Sequence, residues 1–159
     1  MPRMRRRLVH LGVALGLVLA GCGDDDEPVT PAACLGGADA YLGALANAPD
    51  AVTLDGTPIG ACLTEEQPAG QIATVGEAMV AAATELNDRA RSRPLGEPPV
   101  QLGYLVGAVR SRAEQTAGIH EDLARRVESA AAFLPGDQVL PGGYQQRYEE
   151  GLTAGRASG

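Results

Sequence analysis

Ile72, Val75, Met79, Ala82, Ala83, Leu86 and Ala90 recur three or four positions apart. That interval matches 3.6 residues per turn, so it predicts one apolar stripe along an α-helix that reaches about Arg91. Arg89, Arg91 and Arg93 suit the negative end of the helix dipole, and Pro94 stops the helix. At the other end, Thr64 and Gln67 have the spacing of a capping box, with Pro68 acceptable in a first turn. A stripe this long must be covered, and the rest of the chain offers mainly other helices to cover it.

The first of these covers about Gly37 to Ala48, with Tyr41, Leu42 and Leu45 as its apolar side and Asn47, Pro49 and Asp50 ending it. Val52-Thr53-Leu54 then alternates like a strand, and Asp55-Gly56 is a turn dipeptide. Pro58 spoils the return strand, so the segment reads as an ordered loop or a minimal hairpin. After a loop at Gly96–Pro99, a third helix carries Leu102, Leu105, Val106, Val109, Ala113 and Ala117 on one face. Gly118 kinks it or separates it from a fourth stretch, where Ile119, Leu123, Val127, Ala130, Ala131 and Leu134 continue the period to Pro135-Gly136. A last helix bears Tyr144, Tyr148 and Leu152 before a frayed, glycine-rich end.

The expected fold class is therefore all-α, a compact bundle of four to five helices. Aromatic residues make up only 3% of the chain, and alanine is abundant, so the helices must approach closely to leave no voids. Gly103-x-x-x-Gly107 and Gly151-x-x-x-Gly155 would let backbones meet. In a membrane span such spacing drives dimerisation. The flanks here are too polar for a span, so the pairs are read as contacts within the bundle.

Charge narrows the chemistry. The net charge is −7 and there is no lysine, which removes Schiff-base and serine–lysine mechanisms. No basic footprint for nucleic acid is present, and no nucleic-acid partner is expected. No cofactor is expected either, because a phosphate-binding glycine loop, a nucleophile elbow and a calcium loop are all missing.

The start of the chain has a different character. Arg3, Arg5, Arg6 and Arg7 precede an apolar run from Leu8 to Leu19, which ends in Leu19-Ala20-Gly21-Cys22. A basic region, a short apolar core and a small-residue cleavage site are the layout of an export signal. The run falls short of the roughly 20 apolar residues that a span needs, and Asp24, Asp25, Asp26 and Glu27 follow at once. This stretch resembles a bacterial lipoprotein signal with its lipobox. The remainder resembles small helical lipoproteins of GC-rich bacteria. The resemblance implies cleavage between Gly21 and Cys22, and a diacylglyceryl group with palmitate-like chains on the Cys22 thiol. Arg5-Arg6-Arg7-Leu8-Val9 also fits a loose twin-arginine pattern, although a generic basic n-region on the general secretion route suffices.

Three expectations follow from that resemblance. With Cys22 assigned to lipid, Cys34 and Cys62 remain as a pair in an oxidising compartment, which favours a disulfide over a reactive pair or a metal site. The organisation becomes a signal over 1–21, the lipidated cysteine and an acidic, proline-broken tether over 22–33, and one helical domain over 34–157. Removing the four N-terminal arginines leaves the processed chain more acidic than the whole.

One constellation carries possible chemistry. His120 is the only histidine after residue 21, and Glu121 and Asp122 adjoin it. It could be a general base or a metal ligand. Consecutive helix residues point in different directions, however, and Glu121–Arg125 and Asp122–Arg126 pairs would make a solvated helix face instead. H-E-x-x-H fails at Ala124, and a G-x-H-x-x-E pattern fails at Leu123. No metal site and no catalytic residue is therefore assigned. The four tyrosines could line a groove, but they read as core-edge residues. The leading expectation is a non-enzymatic lipoprotein on the extracytoplasmic side of the cell membrane, held in the bilayer through acylated Cys22. It would bind an envelope protein or a small ligand. The alternatives are an envelope enzyme or metal-dependent protein centred on His120 and Glu121, and a structural subunit of an envelope assembly.

Overall fold

The computed structural model describes residues 30–132 and 140–159. The expected signal, Cys22, the first part of the tether, Leu134 and Pro135-Gly136 lie outside the described residues. Among the described residues, five helices form the fold: α1 (Ala38–Leu45), α2 (Ala69–Ser92), α3 (Pro98–Gln115), α4 (Glu121–Ala131) and α5 (Tyr144–Ser158). A hairpin of β1 (Thr53–Leu54) and β2 (Thr57–Pro58) lies between α1 and α2. This is the all-α bundle that the periodicity predicts.

The long helix buries Val75, Met79, Ala82, Ala83, Leu86 and Ala90 as its spacing requires, and Ile72 is half-buried at the rim. The two strands pair antiparallel, Thr53 with Pro58 and Leu54 with Thr57. Asp55 and Gly56 have φ of 46° and 83°, the left-handed pair of a tight hairpin turn. Two 3-10 turns, Ala32–Leu35 and Ile59–Cys62, flank this segment. A disulfide between Cys34 and Cys62 joins them, with both sulfur-bearing side chains buried.

Helix α3 is the centre of the molecule. The sequence predicts one apolar face, yet every residue from Pro98 to Val109 except Gln101 is buried. The other side is closed by α5, laid glycine to glycine. A Cβ added at Gly151 would stand 1.9 Å from the Val100 carbonyl oxygen, and one at Gly155 would stand 2.1 Å from that of Tyr104. Reciprocally, a Cβ at Gly103 or Gly107 would meet the carbonyls of Tyr148 or Leu152 at 2.1 and 2.3 Å. Both glycine pairs therefore serve one intramolecular seam, with backbone against backbone.

Four local expectations are corrected. The glycine-rich end after Leu152 is helical to Ser158 and docked, with Gly151 and Gly155 buried. Helix α1 stops at Leu45, three residues before the expected Ala48, and a turn carries the chain onward. Thr64 and Gln67 form no capping box: α2 starts at Ala69, Pro68 is its N-cap, and no side chain caps it. Ala117 leaves the apolar face of α3 entirely, because the helix ends at Gln115 and Ala117 turns outward with φ 50°.

Two polar side chains tie the helices in place of caps. Asn87 of α2 donates from Nδ2 to the carbonyls of Ala130 and Ala132 at 2.8 and 3.0 Å, satisfying the end of α4. Arg112 of α3 donates from Nε to the Leu63 carbonyl at 2.7 Å. No helix among the described residues is long and apolar enough to cross a membrane.

Candidate functional site

Helices α3 and α4 meet at a tight corner, Thr116 to His120. Thr116 N–H still bonds back to Arg112, after which Ala117 and Gly118 take φ of 50° and 88°. Two successive left-handed residues reverse the chain, and glycine suits the second because it has no Cβ. The turn sends Ile119 outward, half-exposed, and swings His120 inward. Ile119 and His120 thus lie between helices rather than within one continuous period.

His120 is fully buried, and both of its ring nitrogens are engaged. Nδ1 lies 2.9 Å from Thr116 Oγ1, and Nε2 lies 3.0 Å from Gln67 Oε1. Gln67 directs its amide nitrogen to Thr30 Oγ1 at 2.7 Å and to the Cys62 carbonyl at 3.1 Å. Both amide hydrogens are then used, so Oε1 must accept and His120 Nε2 must carry the hydrogen. Thr30 is buried as well, and its N–H donates to Gln71 Oε1 at 3.2 Å. A buried polar chain therefore runs from the start of the domain, past the disulfide, to the α3–α4 corner. Gln67, whose spacing suggests a cap, is its hub.

Burial pushes the His120 pKa below its usual value, and the nearby Arg112 guanidinium pushes it the same way. The ring is thus neutral at pH 7. Glu121 and Asp122 do not converge on it: their side chains are 71% and 74% exposed. Arg125 takes both, at 3.7 Å from Glu121 and 3.3 Å from Asp122. The expected Glu121–Arg125 pair therefore forms, whereas Asp122 pairs with Arg125 in place of Arg126. An imidazole closed off from solvent and held apart from both carboxylates cannot relay a proton to a bound substrate in this arrangement.

Just outside the corner, α3 and α4 border an open groove of about 700 Å³. The small residues Ala113, Ala117, Gly118 and Ala124 line it together with charged side chains from both helices. Arg110 and Glu128 bridge it from opposite helices. A second hollow, of about 350 Å³, shares Glu128 and holds Tyr144 and Tyr148, whose rings stack at 6.3 Å. Burial raises the Tyr144 phenol, and Tyr148 is pushed up to about 12, chiefly by burial and then by the neighbouring phenol. Tyr41 and Tyr104 lie wholly inside instead. The four tyrosines therefore line no common groove.

Comparison with known proteins adds no relative. No protein-family model, curated protein or solved structure matches this chain. Among the described residues, no group of three His, Cys, Asp or Glu side chains is placed to hold a metal ion. The site must therefore be judged by its own chemistry. It consists of an enclosed polar network and, one residue away, a mixed-charge groove that is open to solvent. Sequence reasoning names His120 but misses Gln67, Thr30 and Thr116, because only the tertiary fold brings them together.

Proposed function

We propose that the chain is a lipid-anchored extracytoplasmic protein whose helical domain acts as a non-enzymatic binding module in the cell envelope. The observation that carries this reading is the disposition of the three cysteines. Cys34 and Cys62 are joined and buried, the usual state of such a pair in an oxidising compartment, and Cys22 is left within Leu19-Ala20-Gly21-Cys22. A single acyl chain holds a protein only marginally, at roughly 0.8 kcal/mol per buried methylene, so the two chains of a diacylglyceryl group suit a permanent anchor. Because Thr30 is already buried and bonded to Gln67 and Gln71, the tether shortens to residues 23–29. It would let the domain stand about 15 Å from the bilayer on average, and its acids would be repelled by anionic lipid. The α3–α4 groove is the face offered to an envelope protein or small ligand. Its mixture of small and charged residues suits reversible association.

The test is fractionation. Cys22→Ala should move the protein from the membrane fraction to the soluble fraction while leaving the Cys34–Cys62 peptides joined under non-reducing conditions. Retention of this variant in the membrane after a high-salt wash would refute the anchor.

A further inference from the structure

No counter-ion among the described residues meets the enclosed His120 ring. Among the described residues, the groups that meet its ring are uncharged: Gln67 from the approach to α2, and Thr116 from the end of α3. Thr30 is reached only through Gln67. Arg112, also from α3, acts on the ring and is of the wrong sign for an imidazolium. Glu121 and Asp122 on its own helix pair outward with Arg125. Glu65 and Glu66, just before Gln67, are exposed.

A proton arriving at Nδ1 would leave every hydrogen bond satisfied. Nδ1–H would donate to Thr116 Oγ1, and the Thr116 hydroxyl would turn to the Arg112 carbonyl at 3.1 Å. The charge itself is what the site cannot hold, because no carboxylate among the described residues faces it and the ring is fully buried. The ring would have to leave to be solvated. Its departure would release two things. One is the left-handed corner at Ala117 and Gly118, which also lines the groove. The other is the Gln67 side chain, which loses its hold on the ring and with it the order of its bond to Thr30 Oγ1, while the Thr30 N–H stays on Gln71.

We propose that the Thr30–Gln67–His120–Thr116 chain is a proton-operated latch. Mild acidification expels the His120 ring, loosens the α3–α4 corner so that the groove changes shape, and slackens the Gln67 contact with Thr30. The inference stands on the buried geometry alone and does not depend on the lipid anchor. A protein outside the cytoplasm would meet the proton concentrations that operate such a latch.

The sign follows from proton linkage. The open state binds the proton with the ordinary histidine affinity and the closed state binds it more weakly. Opening is therefore favoured as pH falls below about 6.5, by up to tenfold per pH unit. Hydrogen exchange on the full chain between pH 7.5 and 5.0, corrected for intrinsic rates, measures this directly. Peptides covering 62–72 and 112–124 should exchange at least tenfold faster at pH 5.0, and peptides from the middle of α2 should not. His120→Gln, which cannot titrate, should abolish the response. Equal exchange at both pH values, or the same acceleration in His120→Gln, would overturn the latch. Should His120→Gln not fold, histidine NMR of the native chain serves the same purpose, with His10→Gln separating the two rings. The His120 signal must titrate together with the exchange rise; titration in place, with exchange unchanged, would overturn it equally.

Discussion

Tyr104 sits at the middle of α3 with its ring wholly buried, and its hydroxyl accepts the Val52 N–H at 3.1 Å. That bond fixes the start of the hairpin segment against the central helix. Tyr41 performs the matching task for the disulfide, donating its O–H to the Cys34 carbonyl at 2.8 Å. Burial raises the Tyr41 phenol well above its ordinary pKa, so the donor persists throughout the physiological range. Removing either hydroxyl leaves a buried backbone group unpaired, which costs about 1–3 kcal/mol. Tyr104→Phe should therefore lower the unfolding free energy by that amount, read as a lower urea midpoint with little change in slope. An unchanged midpoint would mean that Val52 finds another acceptor. His120 follows the same logic, since it fills an interior position because its ring completes a hydrogen-bonded chain.

At the scale of the elements, the α3–α5 seam decides the architecture. Alanine is favoured over glycine inside a helix by about 1 kcal/mol, so an exposed helical glycine should gain from the change. Gly43 on α1, which has open space around its missing Cβ, should be neutral or slightly stabilised as Gly43→Ala. At Gly103, Gly151 and Gly155 the new methyl would strike backbone within 2.1 Å, and backbone cannot rotate away. Overpacking penalties of about 1–3 kcal/mol or more then outweigh the propensity gain. Thermal unfolding of the four single variants should separate Gly43→Ala from the rest; uniform stabilisation would show that the seam is looser than described.

The same seam explains what was legible beforehand. Helix α2 could be read because its apolar stripe is made of side chains with a clear period. The docking of α5 could not, because its contact surface is glycine backbone, and glycine-rich ends otherwise read as frayed. The α3–α4 break was half visible in Gly118. Nothing local marked Ala117 as left-handed, since its conformation is imposed by the burial of Thr116 and His120 on either side. Gln67 misleads for a related reason: a glutamine ahead of a helix suits a cap equally well until a histidine more than fifty residues away claims it.

For the whole molecule, the N-terminal third of the described fold is held by core side chains such as Tyr41, Leu45, Val52 and Ile59 and stapled by the disulfide. Cys34 and Cys62 are 28 residues apart, and closing such a loop contributes about 3–4 kcal/mol on the chain-entropy account. The Cys34→Ala, Cys62→Ala double variant should lose roughly that much, and the loss should register first in α1 and the hairpin. Proteolysis that begins in that segment would support this, whereas cleavage spread evenly over the bundle would argue against it. The third cysteine then acquires its meaning from the other two. With one pair closed inside the fold, Cys22 is the thiol that the proposed anchor would use, which would carry the stapled bundle on a short acidic tether. Intact-mass analysis of the protein purified from native membranes tests this most directly. The expected species begins at Cys22, carries the mass of a diacylglyceryl group there, and lacks two hydrogens for the Cys34–Cys62 bond. A chain that keeps residues upstream of Cys22, or has a free Cys22 thiol, would contradict it.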